Sequence, residues 1–133
     1  MISTKGRNAL KTMIDLVEQN SNDYIPLKDI AKRQGISKKY LEAIVKKLVD
    51  NKLLVGTSGK NGGYKLSKPV SKYSIGEILD AAEGPLFTLS CISDEKSLCN
   101  KRNTCKTYPV WKGLNEVIHN YLYKKKLSAL VKK

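Results

Sequence analysis

The sequence predicts a mainly α-helical fold with one small β-hairpin, and three observations lead to it. Apolar residues recur at the i, i+3, i+4 spacing of an amphipathic helix in several segments. Two short apolar runs of the kind found in strands flank a single glycine-rich stretch, residues 56–63. Residues that favour helix starts precede these helical segments, and glycine follows two of them. A chain of 133 residues suits one domain, or one domain with an appendage.

Three amphipathic helices are expected in the N-terminal half. The first spans residues 4–19. The second begins at Leu27 and stops at Gly35, because glycine readily adopts the left-handed conformation that ends a helix. The third is capped by Ser37 and ends near Asn51. Their apolar faces consist of Ala9, Leu10, Met13, Ile14 and Val17, of Leu27, Ile30 and Ala31, and of Leu41, Ile44, Val45 and Leu48.

A β-hairpin is expected after the third helix. Residues 53–55 and 64–66 suit two strands, and the glycine-rich residues 56–63 suit a flexible tip between them. Further along, Ser74 and Glu77 have the spacing of a capping box. They therefore open a short fourth helix, which a Gly-Pro pair closes.

A long C-terminal helix is predicted from Thr107 and Pro109 to about Ala129. Its apolar residues form two adjacent stripes. The stripes are Val110, Leu114, Val117 and Tyr121, and Trp111, Leu114, Ile118 and Leu122. An apolar face this wide can contact both its own domain and a second copy of the chain.

The net charge of +13 is concentrated in the first part of the chain. Residues 1–72 carry 15 basic and six acidic groups, whereas residues 73–133 carry ten and six. One interpretation is a lysine-rich surface that is merely solvated. The functional interpretation is a polyanionic partner, most simply nucleic acid.

The order of elements favours the nucleic-acid interpretation. A short helix, a turn at Gly35, a second helix and a hairpin are together typical of a winged helix-turn-helix. In that fold the second helix enters the major groove of double-stranded DNA and the hairpin, or wing, lies beside it. The residues predicted to contact DNA are Ser37, Lys38, Lys39, Tyr40, Glu42 and Lys46 on the helix and Lys60 and Asn61 on the wing.

The three cysteines, Cys91, Cys99 and Cys105, lie in one polar stretch, residues 90–106. Thiols in such a stretch are suited to binding a metal or responding to oxidants. Their chemistry alone leaves an iron–sulfur cluster, a zinc site, a thiol–disulfide switch and incidental free thiols open.

Four segments together resemble the Rrf2 family of bacterial regulators. These are residues 3–7 (Ser-Thr-Lys-Gly-Arg), residues 30–42 (Ile-Ala-Lys-Arg-Gln-Gly-Ile-Ser-Lys-Lys-Tyr-Leu-Glu), residues 62–64 (Gly-Gly-Tyr) and residues 83–85 (Glu-Gly-Pro). The resemblance covers nearly the whole chain. It implies a homodimer whose long C-terminal helices cross, with two winged helices on a palindromic operator.

The resemblance also assigns roles to residues of this chain. It implies that Ser37, Tyr40 and Glu42 face the bases. At the wing position where some members have an arginine that reads the minor groove, this chain has Ser58.

Cys91, Cys99 and Cys105 resemble the three-cysteine ligand set of the cluster-binding members of the family. The resemblance thus implies an iron–sulfur cluster, with [2Fe–2S] favoured over [4Fe–4S]. Oxygen sensitivity can leave purified protein without it. The fourth ligand stays open: Tyr108 occupies the position of a histidine ligand in some members, and Asn8 lies where others have an acidic ligand. The other candidates are the nearby Asp94 or Glu95, a small molecule and water.

We therefore predict a cytoplasmic transcriptional regulator, without a membrane-spanning segment, rather than an enzyme. Residues 1–85 would form the DNA-binding domain, residues 86–106 a cysteine-containing sensor loop and residues 107–133 the dimerisation helix, all in one compact unit. The predicted protein represses genes for iron–sulfur assembly or for sulfur metabolism and redox stress. A labile iron–sulfur cluster on the three cysteines would switch its DNA binding. The alternative is a cluster-free regulator that responds to thiol oxidation or a protein partner. An enzyme is disfavoured because the sequence shows no nucleophile–base pair, no paired-carboxylate motif and only one histidine.

Overall fold

The computed structural model describes residues 2–19, 22–84 and 106–131. The predicted mainly α fold with one hairpin is confirmed in these segments. The helices are α1 (Thr4–Gln19), α2 (Leu27–Gln34), α3 (Lys38–Asp50), α4 (Ile75–Glu83), α5 (Tyr108–Lys124) and α6 (Leu127–Val131). The strands are β1 (Leu54–Thr57) and β2 (Gly63–Leu66), and a 3-10 helix, Val70–Lys72, precedes α4.

The helix ends follow the local signals in the sequence. Gly35 ends α2 in the left-handed conformation, with φ of 68°. Ser37 caps α3, and its Oγ accepts a hydrogen bond of 3.1 Å from the backbone N–H of Tyr40. At α4, Ser74 and Glu77 form both hydrogen bonds of a capping box. The turn between α2 and α3 and the entry into α4 are therefore encoded locally.

One hydrophobic core joins the helices. Ala9 and Met13 of α1 are buried, as are Leu41, Ile44, Val45 and Leu48 of α3 and most of the apolar residues of α4. Tyr73 is also fully buried, and its hydroxyl donates a 2.6 Å hydrogen bond to the carbonyl of Leu53. The phenol thereby connects the segment before α4 to the start of the wing.

An ion pair between a buried aspartate and a partly exposed arginine joins α1 to α2. Asp15 is only 5% exposed, and the guanidinium of Arg33 donates two hydrogen bonds of 2.8 Å to its carboxylate. The hydrogen bond with Asp15 raises the pKa of Arg33 above its already high ordinary value. The guanidinium of Arg33 is therefore engaged by Asp15, while its side chain stays 37% exposed.

The wing is a two-stranded antiparallel hairpin in which Leu54 pairs with Leu66 and Thr57 with Gly63. Ile25, in the connection between α1 and α2, forms an antiparallel bridge with Tyr64. Strand β2 is therefore hydrogen-bonded on both of its edges, to β1 and to Ile25.

The C-terminal helix is shorter than predicted, because α5 ends at Lys124 rather than near Ala129. Lys125 is extended, and its carbonyl accepts a 2.8 Å hydrogen bond from the N–H of Ile75. The N–H of Leu127 then donates to the carbonyl of Tyr73 at 3.0 Å. This backbone pairing redirects the chain so that Leu127 is fully buried in the core, where an uninterrupted α5 would not place it.

No helix in the described part of the chain combines the length and the apolar character that crossing a membrane requires.

Candidate nucleic-acid interface

A basic groove lies between α3 and the wing, with the start of α2 as a third wall. The wing contributes much of its backbone, from Gly56 to Lys60 and from Gly62 to Tyr64. The charged residues that line the groove are Lys28, Lys38, Glu42, Lys46 and Lys60. Four ammonium groups around one carboxylate give the groove a net positive charge, which suits a polyanion.

Helix α3 supplies three of these charges from a single face. Lys38, Glu42 and Lys46 are four residues apart, so they lie one turn above another along the helix. All three are exposed. The opposite face of the same helix is buried in the core, and this fixes the rotation of α3 and directs the charged face outward.

Four further residues predicted to contact DNA lie outside the groove lining. Ser37 and Lys39 are exposed at the start of α3, and Asn61 is exposed at the tip of the wing. Tyr40 is half-buried and packs against the hydrophobic core. The Ser37 hydroxyl already accepts the capping hydrogen bond, but it keeps a proton to donate.

Lys28 is the groove residue that the sequence analysis missed. It is the second residue of α2 and is exposed. Nothing in its local sequence sets it apart from the other lysines of the chain. Only the packing of α2 beside the wing brings it to the groove, so no local signal could have identified it.

The three cysteines, Cys91, Cys99 and Cys105, lie outside the described residues. Of the candidate fourth ligands within the described residues, Tyr108 is half-buried as the first residue of α5 and Asn8 is half-buried in α1. Among the residues that the structure describes, no group of three or more His, Cys, Asp or Glu side chains comes together as a metal site. The three thiols of the sequence are soft sulfur donors, which suit an iron–sulfur cluster.

Helix α5 carries an exposed apolar stripe. Its members are Val110, Leu114, Val117 and Tyr121, which are 44–65% exposed. The adjacent stripe faces inward instead: Trp111, Ile118 and Leu122 are half-buried. His119, the single histidine of the sequence, stacks on Tyr123 with ring centroids 4.3 Å apart. The helix thus contacts its own domain with one side and leaves the other side uncovered.

Comparison with protein-family models gives a match across almost the whole chain. Residues 2–133 match the Rrf2 model, described as an iron-dependent transcriptional regulator. The chain belongs to the Rrf2 family. An Rrf2 protein is a DNA-binding transcriptional regulator and not an enzyme, in agreement with the basic groove beside α3.

Individual relatives agree with the family assignment. The HTH-type transcriptional regulator IscR of Yersinia pseudotuberculosis is 34% identical over 130 residues, which cover 98% of this chain and 78% of that protein. Among solved structures, CymR (YrzC), the global cysteine regulator of B. subtilis, superposes with a TM-score of 0.76 at 29% identity, over 98% of this chain and 95% of that one. The T. potens IscR structure gives a TM-score of 0.74 at 29% identity, over 99% and 86% of the two chains.

These Rrf2 relatives confirm the winged-helix fold. The relatives include both IscR and CymR proteins.

Proposed function

We propose that this Rrf2 protein is a cytoplasmic repressor of iron–sulfur assembly or sulfur and redox-stress genes, switched by a labile iron–sulfur cluster. It binds a palindromic operator as a homodimer, with α3 in the major groove and the wing beside it. The observation that carries the DNA-binding part is the convergence of Lys38, Lys46 and Lys60 around Glu42 in one groove.

The charged side chains of α3 and the wing divide into two chemical roles. The ammonium groups of Lys38, Lys46 and Lys60 contact phosphates, which supply affinity without sequence preference. Glu42 can only accept hydrogen bonds when it is ionised, and in the major groove cytosine offers an exposed amino donor. Ser37, Lys39, Tyr40 and Asn61 border the groove and add phosphate or base contacts. Glu42 therefore restricts which DNA sequence is bound, and the lysines supply the affinity for the DNA backbone.

The homodimer is supported by the apolar stripe on α5. An amphipathic helix normally buries its apolar side chains, and a row of four uncovered ones indicates an interface. A second copy of α5 offers the same stripe, as twofold symmetry requires. Two winged helices related by that axis match a palindromic operator.

The cluster is supported by the thiol set and by its position in the chain. Cys91, Cys99 and Cys105 would supply three thiolate ligands, and a [2Fe–2S] cluster needs four ligands in total. When bound, the cluster would supply sensitivity to oxidants and to iron supply. The cysteines fall between α4, which packs on α3, and α5, which carries the stripe. A change there can therefore bias the recognition helix or the dimer.

A cluster-free regulator is the second candidate. Its support is Tyr108, which stands where a histidine ligand is expected, and the similarity to the global cysteine regulator CymR. In this case the cysteine thiols respond to oxidation, or a protein partner binds the chain.

The test combines anaerobic spectroscopy with operator selection. We expect anaerobically purified protein to contain iron and sulfide and to absorb in the visible range, and each cysteine-to-serine variant to lose that absorption. Protein that stays colourless after anaerobic reconstitution would leave only the cluster-free regulator. Selection from a random duplex pool should return a palindrome, and Glu42→Gln should change the selected bases, while the exposed Glu18→Gln should not. Selection of the same bases by both variants would remove Glu42 from base recognition.

A further inference from the structure

The start of α2 forms a wall of the groove that faces the wing. Lys28 is exposed on this wall, and Lys60 is exposed on the wing. The proposed function uses α3 and the wing and assigns no DNA contact to α2. The position of Lys28 in the groove places a positive charge of α2 beside the lysines of α3 and the wing.

The wing is fixed to the chain just before α2 by paired backbone. Ile25 and Tyr64 exchange two hydrogen bonds, N–H to carbonyl in both directions, each 2.9 Å long. Gly63 is buried beside this pair at φ of +154°, in the range that favours glycine. A methyl group on Gly63 would lie 2.8 Å from the nitrogen of Pro26. The wing and the start of α2 are thus in close backbone contact.

Helix α3, the remaining wall of the groove, is fixed to α2 through the core. Leu27, Ile30 and Ala31 of α2 are buried in the same cluster as Leu41 and Ile44 of α3. The three walls of the groove therefore form one rigid frame. The backbone segments that carry the lysines are pre-positioned, so a DNA strand can bind without first ordering the walls of the groove.

We propose that Lys28 contacts a DNA phosphate and, with Lys60, holds one strand of the backbone between α2 and the wing. This inference rests on the proposed DNA-binding function and extends it to a third element. Lysine is a compact point charge with three donors, which suits a phosphate rather than a base edge. Lys28 therefore adds affinity on every sequence and leaves the choice of sequence to α3.

The test measures the salt dependence of binding to a labelled duplex of random sequence, with the full-length protein. In Lys28→Gln, the slope of log K against log salt should become less steep by about 0.9 for each phosphate that is no longer neutralised, and affinity at 0.1 M salt should fall about eightfold for each such phosphate. Lys32→Gln is the matched control: it removes the same charge from the same helix, but Lys32 is exposed outside the groove. Lys32→Gln should change the slope by much less.

The outcomes separate this inference from the function on which it rests. Equal effects of Lys28→Gln and Lys32→Gln would overturn it, because only the overall charge would then matter. If Lys38→Gln and Lys60→Gln reduce the slope and Lys28→Gln does not, the groove binds DNA without α2 and the inference alone fails. If the wild-type protein shows no salt-dependent binding, both the inference and the DNA-binding groove fail. A reduced slope in Lys28→Gln with unchanged bases in operator selection supports it.

Discussion

The carboxylate of Asp15 and the guanidinium of Arg33 form a two-pronged ion pair, with both N···O distances at 2.8 Å. The two partners differ in exposure: Asp15 is 5% exposed, whereas the Arg33 side chain is 37% exposed. The pair joins the first two helices of the DNA-binding unit, and its asymmetry leads to a prediction.

Removing the arginine should cost more stability than neutralising the aspartate. Arg33→Met leaves a buried carboxylate without its partner, which costs about 2–3 kcal/mol of unfolding free energy. Asp15→Asn leaves a guanidinium that water can reach, so we expect a loss of about 1 kcal/mol. Urea unfolding with an unchanged m-value measures both, and Lys32→Met, on an exposed face of α2, is the control. Equal losses in the two variants would show that water already solvates Asp15.

The capping box of α4 should make stability depend on pH at the acid end. Burial raises the pKa of Glu77, but hydrogen bonds from Lys68 at 2.7 Å and from Ser74 outweigh it, so the pKa lies below its ordinary value. A lowered carboxyl pKa contributes stability above the ordinary value of 4.5, and that stability is lost as the pH falls through the folded-state pKa.

Glu77→Gln keeps an acceptor for the capping box and removes the charge. We expect this variant to lose about 0.5–1 kcal/mol at neutral pH, because the partly exposed ion pair with Lys68 is screened. Its melting temperature should also fall less than that of the wild type between about pH 5 and pH 3. Thermal melts across this range test both points, with the exposed Glu18→Gln as control. Parallel pH profiles for wild type and Glu77→Gln would assign the acid sensitivity to another group.

The sequence predicted well what is encoded locally. Gly35, Ser37 and Ser74 act through hydrogen bonds and backbone conformations within a few residues of themselves, so their patterns suffice to place the ends of α2, α3 and α4. Lys38 and Glu42 could be found for the same reason, since helical spacing fixes their common face.

Features that depend on distant contacts escaped the sequence analysis. The break after Lys124 arises because Lys125 and Leu127 pair with the backbone around Tyr73, some fifty positions earlier in the chain. Lys28 reaches the groove only because Ile25 pairs with the wing. The helical spacing of apolar residues continues past Lys124 and through Lys28. It therefore does not indicate the pairing with the backbone around Tyr73 or the approach of Lys28 to the wing.

The apolar stripe of α5 should control the association state. Val117 is 65% exposed at the middle of the stripe, and a second copy of the helix would bury it. Val117→Glu then places a carboxylate in an apolar interface twice, at a cost of at least about 2 kcal/mol for each copy. Light scattering should show a dimer for the wild type and a monomer for this variant. Asn120→Glu adds the same charge beside the stripe and should remain dimeric; if both variants stay dimeric, another surface holds the dimer.

The short helix α6 should act as part of the core rather than as a tail. Leu127 and Leu130 lie in the same five-residue helix, but Leu127 is fully buried whereas Leu130 is 43% exposed. Leu127→Ala removes buried side-chain volume from the core beside α1 and the 3-10 helix and should cost about 2–4 kcal/mol of unfolding free energy. Leu130→Ala makes the same chemical change on the surface and should cost below about 0.5 kcal/mol. Urea unfolding at constant m-value gives both values, and similar small losses would mean that α6 does not contribute to the core in solution.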